Sequence, residues 1–146
     1  MICPSSLRAG TRTEVVIFFF LTSIIGRAII KFVKASQRNG DIFEKYLIQF
    51  EGRVNYVSIT GLSNVTGIVT PINKIAKLAH RYGAYVIVDA AQMAAHVPIY
   101  MSGFEDREME IEVLLFSGHK TYAPGSPGVI IARKSFMSAI EPEEVG

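Results

Sequence analysis

Residues 79–92 read AHRYGAYVIVDAAQ, and this stretch decides the fold class. Its centre is an apolar segment, 84–88 (AYVIV), which is followed at once by Asp89. A helical pattern precedes it, because apolar residues recur at the 3.6-residue period over 72–79 and Gly83 is a typical stop signal. An all-apolar strand that follows a helix is typical of a parallel sheet covered by helices. The sequence therefore predicts an α/β fold with a mostly parallel sheet and flanking helices.

Further elements are predicted on both sides of this centre. Apolar or alternating patterns predict strands at the following positions: 14–20, 27–34, 54–60, 111–116 and 129–132. Another helix is predicted after the turn signal QRNGD at 37–41, with Asp41 as its N-cap. Residues 1–13 show no sustained apolar period. We therefore expect an irregular segment over 1–13, followed by one domain over 14–146.

Composition limits the classes of partner. The 146 residues are 49% hydrophobic and carry a net charge of +2, with no long run of Lys or Arg, so neither nucleic acid nor an anionic membrane is indicated. The most apolar stretch, 15–25, is much shorter than the ~20 residues that span a bilayer. Cys3 is the single cysteine and has no second thiol for a disulfide or a metal site. This favours a reducing, intracellular location, either cytoplasmic or in an organellar matrix.

Three polar clusters follow predicted strands: SNVTG at 63–67, DAAQ at 89–92 and SGHK at 117–120. Ligands of open α/β sheets bind at the carboxyl ends of the strands, so the clusters are expected to converge on one site. Taken singly, each residue also has an interpretation without function. Asp89 could as well be a helix cap or a structural hydrogen-bond acceptor, Lys120 could be a solvated surface charge, and His119 could be a structural histidine. Together the clusters supply an amine, an anion and small polar donors, which a phosphorylated aldehyde cofactor requires.

At these positions the sequence resembles the class V aminotransferase family, the group that contains cysteine desulfurases and selenocysteine lyases. The resemblance covers roughly 14–136 and is strongest over 58–133. It rests on three motifs in the order and spacing of the family: SNVTG at 63–67, AHRYGAYVIVDAAQ at 79–92 with His96 following, and FSGHKTYAPGSPGV at 116–129. It implies part of the large domain of a fold-type I pyridoxal-phosphate enzyme, an amino-acid substrate and a homodimer.

The resemblance also implies a role for each candidate residue. Lys120 would form the Schiff base with pyridoxal 5'-phosphate and would then move the α-proton of the substrate as an acid and base. Asp89 would pair with the pyridinium nitrogen and keep it protonated. Four side chains would hold the other groups: Gln92 on the phenolic oxygen, Ser117 and His119 on the phosphate, and Asn64 near the substrate carboxylate or the phenolic oxygen.

The sequence departs from the family pattern in three respects. It has no histidine before His80 that could stack on the cofactor ring, and Glu112 stands where the family usually has Asp. The small C-terminal domain, with its substrate-binding arginine and the nucleophilic cysteine of desulfurases, is not among the 146 residues. Two functions therefore stay open: a pyridoxal-phosphate enzyme core acting on an amino acid, and a truncated or degenerate paralogue that binds cofactor or a partner without turnover.

Overall fold

The computed structural model describes residues 15–19, 40–50 and 53–138. In these residues five strands and three α-helices follow in the order β1 (Val15–Phe19), α1 (Gly40–Gln49), β2 (Val54–Thr60), α2 (Ile72–Arg81), β3 (Tyr85–Asp89), β4 (Val113–Ser117), β5 (Gly128–Ala132) and α3 (Lys134–Met137). Two 3-10 turns, Arg107–Met109 and Gly118–Lys120, lie on either side of β4. The irregular segment predicted for 1–13 and the strand predicted for 27–34 lie outside the described residues.

The five strands form one sheet in the order β1-β2-β3-β4-β5. β1, β2, β3 and β4 are mutually parallel neighbours, whereas β5 runs antiparallel to β4. Parallel neighbours require a connection that crosses one face of the sheet, and α2 lies in the connection between β2 and β3. The predicted α/β class with a mostly parallel sheet is confirmed.

The main core forms where α1 and α2 pack against β2 and β3. Two of the α2 residues in this core, Ala76 and Ala79, are alanines, and their small side chains allow the helix to pack close to the strands. The fully buried apolar residues are Leu47, Val57, Ala76, Ala79, Ala90, Val86, Val88 and Ile111. On β5, by contrast, Ile130 is 70% exposed and Ile131 45% exposed. Successive strand residues face opposite sides, so each face of β5 is only partly covered by the described part of the chain.

The end of α2 follows the predicted stop signal. Gly83 has a φ of +76°, and its amide donates to the His80 carbonyl over 2.9 Å. The Ala84 amide donates to the Ala79 carbonyl over 3.1 Å, which completes a Schellman motif. Glycine adopts this left-handed conformation without steric cost, so the chain can turn at once into β3. No helix within the described ranges is long and apolar enough to cross a membrane.

The observed β3 and β5 differ from the predicted strands by no more than one residue at either end, and the starts of α1 and β4 also differ from the prediction. α1 begins at Gly40, so Asp41 lies inside its first turn and is not the N-cap. β4 begins at Val113, two residues later than predicted. The reason is that the Ile111 amide donates to the Met101 carbonyl over 2.9 Å and is therefore not available to a neighbouring strand.

The connection between β3 and β4 has little regular structure, and it is held both by apolar side chains such as Met93 that pack on the core and by polar contacts with α2. The Asn73 side-chain amide donates to the carbonyls of Tyr100, over 3.0 Å, and Met109, over 2.9 Å. One helical turn further on, Lys77 Nζ lies 2.6 Å from Asp106 Oδ2. The hydrogen bond from Lys77 lowers the pKa of Asp106. One polar face of α2 thus holds the segment that leads into β4.

Candidate functional site

The candidate site lies at the edge of the sheet where the parallel strands end. Thr60 pairs with Asp89 across β2 and β3, and Asp89 pairs with Leu115 across β3 and β4. The carboxyl ends of these three strands are therefore adjacent. The polar cluster of β3 begins at this level, and those of β2 and β4 begin within three residues of it.

Asp89 is the last residue of β3, and its side chain is exposed. Its Oδ1 accepts a hydrogen bond from the Ala91 amide over 2.9 Å, so the carboxylate is oriented by its own turn. The other oxygen, Oδ2, has no hydrogen-bond partner among the described residues. The Asp89 carbonyl accepts from the Gly61 amide over 2.8 Å, which fixes the backbone at this point. The carboxylate is thus held locally while one oxygen stays available to a ligand.

Gln92 lies half-buried in the turn that follows β3. The turn is closed by a 2.9 Å hydrogen bond from the Met93 amide to the Ala90 carbonyl. The Met93 side chain is buried against Gly61, where a Cβ atom would lie 2.6 Å from the Met93 sulfur. A side chain at position 61 would therefore require the Met93 side chain to move. The Gln92 side chain makes no hydrogen bond to the described residues, and its amide is free to bind a ligand.

Ser117 ends β4, and the 3-10 turn Gly118–Lys120 follows it directly. His119 and Lys120 are exposed, while Ser117 is half-buried and its hydroxyl does not cap the turn. Within the described part of the chain, none of these three side chains has a hydrogen-bond partner. No group of three or more metal-ligating side chains is found in the same part of the chain. The end of β4 and the turn after it thus carry a hydroxyl, an imidazole and an amine that are available to a ligand.

Gly118 begins the lysine turn and fits where no side chain could. A Cβ atom on Gly118 would overlap the Ser126 hydroxyl and would lie 3.0 Å from the Pro127 carbonyl oxygen. The Gly118 amide donates to that same Pro127 oxygen over 3.2 Å. The Ser126 Oγ is buried and has no hydrogen-bond partner among the described residues. The start of the turn is therefore fixed against the loop that leads into β5.

Tyr122, two residues after Lys120, adopts a left-handed backbone with a φ of +62°. For a residue other than glycine this conformation costs about 1–2 kcal/mol. The side chain is 82% exposed, so its burial within the described residues does not offset that cost. Strained backbone of this kind is concentrated at functional sites, which is consistent with the position of Tyr122 beside the lysine turn.

Asn64 lies in the loop that follows β2. It is exposed at the tip of a hairpin in which Leu62 bridges to Val69. The Ser63 hydroxyl holds the tip by accepting hydrogen bonds from the amides of Val65, over 3.3 Å, and Thr66, over 3.2 Å. In the described structure no hydrogen bond joins the Asn64 side chain to another candidate residue. Asn64 thus follows β2 at the same end of the sheet, and its side chain has no hydrogen-bond partner among the described residues.

Sequence reasoning did not single out three residues that shape this site, namely Thr121, Tyr122 and Ser126. They lie in the run TYAPGSPG at 121–128, where serine, glycine and proline are ordinary turn residues. What distinguishes them is a contact with Gly118 or a left-handed backbone, and neither property is visible in residue type. The richness of this loop in glycine and proline was the only available signal.

Comparisons with known proteins agree with this geometry. Residues 26–146 match the family model described as aminotransferase class-V. A probable cysteine desulfurase from Chlamydia muridarum is 32% identical over 131 residues, which is 81% of this chain and 32% of the relative. A cysteine desulfurase from Synechococcus elongatus is 33% identical over 103 residues, which is 70% of this chain and 16% of the relative. The chain therefore spans about a third or less of the length of these curated relatives.

Solved structures with similar folds include two further desulfurases. A cysteine desulfurase from Escherichia coli superposes with a TM-score of 0.59 at 30% identity, over 77% of this chain and 27% of that one. The apo cysteine desulfurase of Thermococcus onnurineus gives a TM-score of 0.67 at 21% identity, over 94% of this chain and 36% of that one. At the lower identity the likeness concerns the fold alone.

Proposed function

Since the chain belongs to the class V aminotransferase family, we propose that it carries the pyridoxal-phosphate site of an enzyme acting on an amino acid. Removal of sulfur from cysteine, or of selenium from selenocysteine, is the favoured reaction, because similar proteins are named cysteine desulfurases. Class V transamination is the second candidate. The chain spans about a third of those relatives, so the substrate and the reaction are part of this proposal.

One observation carries the proposal. An exposed amine on Lys120 and an exposed carboxylate on Asp89 follow adjacent parallel strands, and neither Lys120 Nζ nor Asp89 Oδ2 has a partner in the described structure. Both groups are exposed to solvent, and no structural contact in the described residues occupies the Lys120 amine or Asp89 Oδ2. Gly118 keeps the start of the lysine turn free of a side chain. This set of donors and acceptors fits the aldehyde, ring nitrogen and phosphate of the cofactor.

Bound pyridoxal phosphate supplies an aldehyde that reacts with amines and a ring that withdraws electrons from the α-carbon of an amino acid. The protein must therefore provide a nucleophile, an acid and base, and an anion near the ring nitrogen. The Lys120 amine is proposed as the nucleophile, and it then holds and returns the proton of the substrate α-carbon. The Asp89 carboxylate holds a proton on the ring nitrogen through Oδ2, while its Oδ1 stays bonded to its own turn.

The remaining candidates are proposed to orient the cofactor. The Gln92 amide donates to the phenolic oxygen, and the hydroxyl of Ser117 and the imidazole of His119 donate to the phosphate. The support is their place beside Asp89 and Lys120 together with the absence of other partners in the described residues. Asn64 is proposed to lie near the substrate carboxylate or the phenolic oxygen; its hairpin begins directly after Gly61, whose amide donates to the Asp89 carbonyl.

A paralogue that binds without turnover is not favoured, because the matching relatives are named as enzymes.

Assembly as a homodimer is proposed on one observation, the exposed apolar side chains of the hairpin beside the site, Val65 at 79%, Ile68 at 37% and Val69 at 48%. Light scattering of the purified chain tests it. The single cysteine supports a reducing, intracellular location.

The test of the cofactor site is covalent capture at Lys120. The purified chain is titrated with pyridoxal phosphate, its visible absorbance is recorded, and the sample is reduced with borohydride before peptide mapping. We expect a saturable visible band and a cofactor mass on the peptide that contains Lys120. Lys120→Ala removes both signals. Lys134→Ala is the matched control. Lys134 is also exposed, but it follows β5, which is antiparallel to β4 and therefore ends near the start of β4, away from the site.

Two results would overturn the proposal. One is a wild-type chain that folds yet gives no band, and the other is a cofactor mass spread over several lysines at equal occupancy. With a band present and an excess of a thiol reductant added to reduce the transferred sulfur, the release of alanine and sulfide from cysteine distinguishes desulfuration from transamination, which releases neither product.

A further inference from the structure

The Gly118 carbonyl holds the turn that carries Lys120. It accepts hydrogen bonds from the Thr121 amide over 2.9 Å, from the Thr121 hydroxyl over 2.8 Å and from the Ala123 amide over 3.4 Å. The bond from Ala123 is long and depends on the strained left-handed backbone of Tyr122. The two short bonds to this carbonyl therefore both come from Thr121.

Gly118 is itself immobilised by the loop before β5. Its amide donates to Pro127, and the Ser126 hydroxyl fills the space beside its Cα atom. Thr121 is anchored to Gly118 by two bonds, and Lys120 is the residue immediately before it. The contacts that hold Gly118 therefore also restrict the backbone of Lys120, because the next residue, Thr121, is bonded to the Gly118 carbonyl.

The Lys120 side chain has no bond of its own that could fix its direction within the described residues. Its position depends on the backbone of the turn, and a 3-10 turn of three residues has little intrinsic stability. The Thr121 hydroxyl is half-buried, so its bond to Gly118 is less exposed to competition from water than a surface contact. Thr121 is also β-branched, and a bond from its Oγ1 to the carbonyl three residues earlier is one of the arrangements that its restricted χ1 angle allows.

We infer that Thr121 is a positioning residue for Lys120, which acts through its hydroxyl bond to the Gly118 carbonyl. This inference rests on the proposed function, because positioning matters only when the Lys120 amine must meet an aldehyde that is anchored elsewhere in the site. Without the hydroxyl, part of the binding free energy is used to order the turn, and capture of the cofactor weakens.

The experiment compares Thr121→Val, Thr121→Ser and wild type in the full chain. Valine keeps the shape and removes the hydroxyl, whereas serine keeps the hydroxyl. Ser138→Ala is the control, because the Ser138 hydroxyl makes a similar 2.9 Å bond to the Lys134 carbonyl far from the site. Three quantities are measured: the dissociation constant for pyridoxal phosphate from the visible band, the rate of Lys120 acetylation by acetic anhydride without cofactor, and the thermal midpoint.

We expect Thr121→Val to raise the dissociation constant about fivefold, the equivalent of one hydrogen bond, and Thr121→Ser to restore it to within about twofold. Acetylation of Lys120 should not change, because a small reagent in solution does not require the amine in one position. Ser138→Ala should bind the cofactor as the wild type does. A purely structural role would instead lower the thermal midpoint and weaken binding in proportion to the unfolded fraction.

The outcomes separate this inference from the proposed function. A band in the wild type that Thr121→Val leaves unchanged overturns the role of Thr121 alone. Equal weakening by valine and serine also overturns it, since the hydroxyl would then be irrelevant. The absence of a band in the folded wild type overturns the proposed function, and the positioning role falls with it.

Discussion

His80 Nε2 lies 3.1 Å from Glu112 Oε2, and the two side chains are only 17% and 9% exposed. The other ring nitrogen, Nδ1, lies 2.6 Å from the Glu108 carbonyl oxygen, which can only accept a hydrogen bond. Nδ1 therefore carries a proton, and when the imidazole is protonated Nε2 also carries one, which it donates to Glu112 Oε2. Burial alone lowers the pKa of His80, but the hydrogen bond and charge of Glu112, together with the backbone hydrogen bond and charge of Glu108, raise this pKa above 6.5.

Stability should consequently fall as the solution becomes alkaline. The folded pKa of His80 is raised above the unfolded value of about 6.5, so the stabilisation is complete below about pH 6.5 and is lost as the pH rises through the folded pKa. Urea unfolding at about pH 6 and about pH 9 measures this loss in the wild type and in His80→Gln.

The difference between wild type and variant isolates His80 from other titrating groups, including the neighbouring Glu108 and its 3.9 Å ion pair with Arg81. We expect the loss of stability with pH to be smaller in His80→Gln. His96→Gln is the control, because His96 is exposed, and it should keep the wild-type dependence. Identical pH profiles for wild type and His80→Gln would contradict the assignment of the proton to this pair.

Removal of the partner carboxylate should be more costly than removal of an exposed one. Glu112 Oε2 also accepts from the Val86 amide over 2.9 Å, so this carboxylate joins α2, β3 and the start of β4. Glu112→Ala leaves the amide and the imidazole buried without an acceptor, and we expect it to lower the free energy of unfolding by about 2–3 kcal/mol. Urea unfolding measures the change, with Glu105→Ala as the exposed control. A loss no larger than that of the control contradicts the network.

Local pattern predicted those parts of the fold that are fixed locally. The 3.6-residue period of α2, the stop at Gly83 and the apolar run of β3 each follow from residue types close in sequence, and all three were found. The connection into β4 could not be predicted, because it is held by bonds such as those from Asn73 to carbonyls 27 and 36 residues away. Such bonds leave no periodic signal.

Some residues of the candidate site could likewise be predicted from the sequence, and others could not. Asp89 and Lys120 are chemically conspicuous residues at the ends of apolar strands, so sequence reasoning could name them and assign them to one edge of the sheet. Thr121 and Ser126 act through contacts with the Gly118 backbone, and many serines and threonines in loops make no such contact. Their importance depends on tertiary distances, which residue type does not reveal.

A methyl group at Gly118 should disturb both the fold and the site. In Gly118→Ala the new Cβ overlaps the Ser126 hydroxyl, and we expect a loss of about 1–3 kcal/mol in the free energy of unfolding. Gly128→Ala is the matched control, because the nearest atom to its Cβ is the Phe116 carbonyl oxygen at 3.9 Å. Chemical denaturation of both variants measures the difference.

The double variant Gly118→Ala, Ser126→Gly identifies the cause of that loss. Removal of the Ser126 side chain empties the space that the methyl group enters, so the double variant should be more stable than the sum of the two single changes predicts. Strict additivity would mean that the serine is not the obstacle. The Pro127 carbonyl oxygen, which would lie 3.0 Å from the new Cβ atom, would then be the remaining steric cause.

Tyr122 should be one of the few positions where a change to glycine stabilises the chain. Its φ of +62° strains any residue with a Cβ, and the ring is 82% exposed, so little burial is lost on removal. Glycine relieves about 1–2 kcal/mol of strain but makes the unfolded chain more flexible, which leaves a net gain of up to about 1 kcal/mol for Tyr122→Gly. Tyr100→Gly, at a tyrosine that is 64% exposed and lacks a positive φ, should instead lose about 0.5–1 kcal/mol. Thermal and urea unfolding of the two variants should therefore shift in opposite directions, and equal losses would show that the turn after Lys120 is not strained in solution.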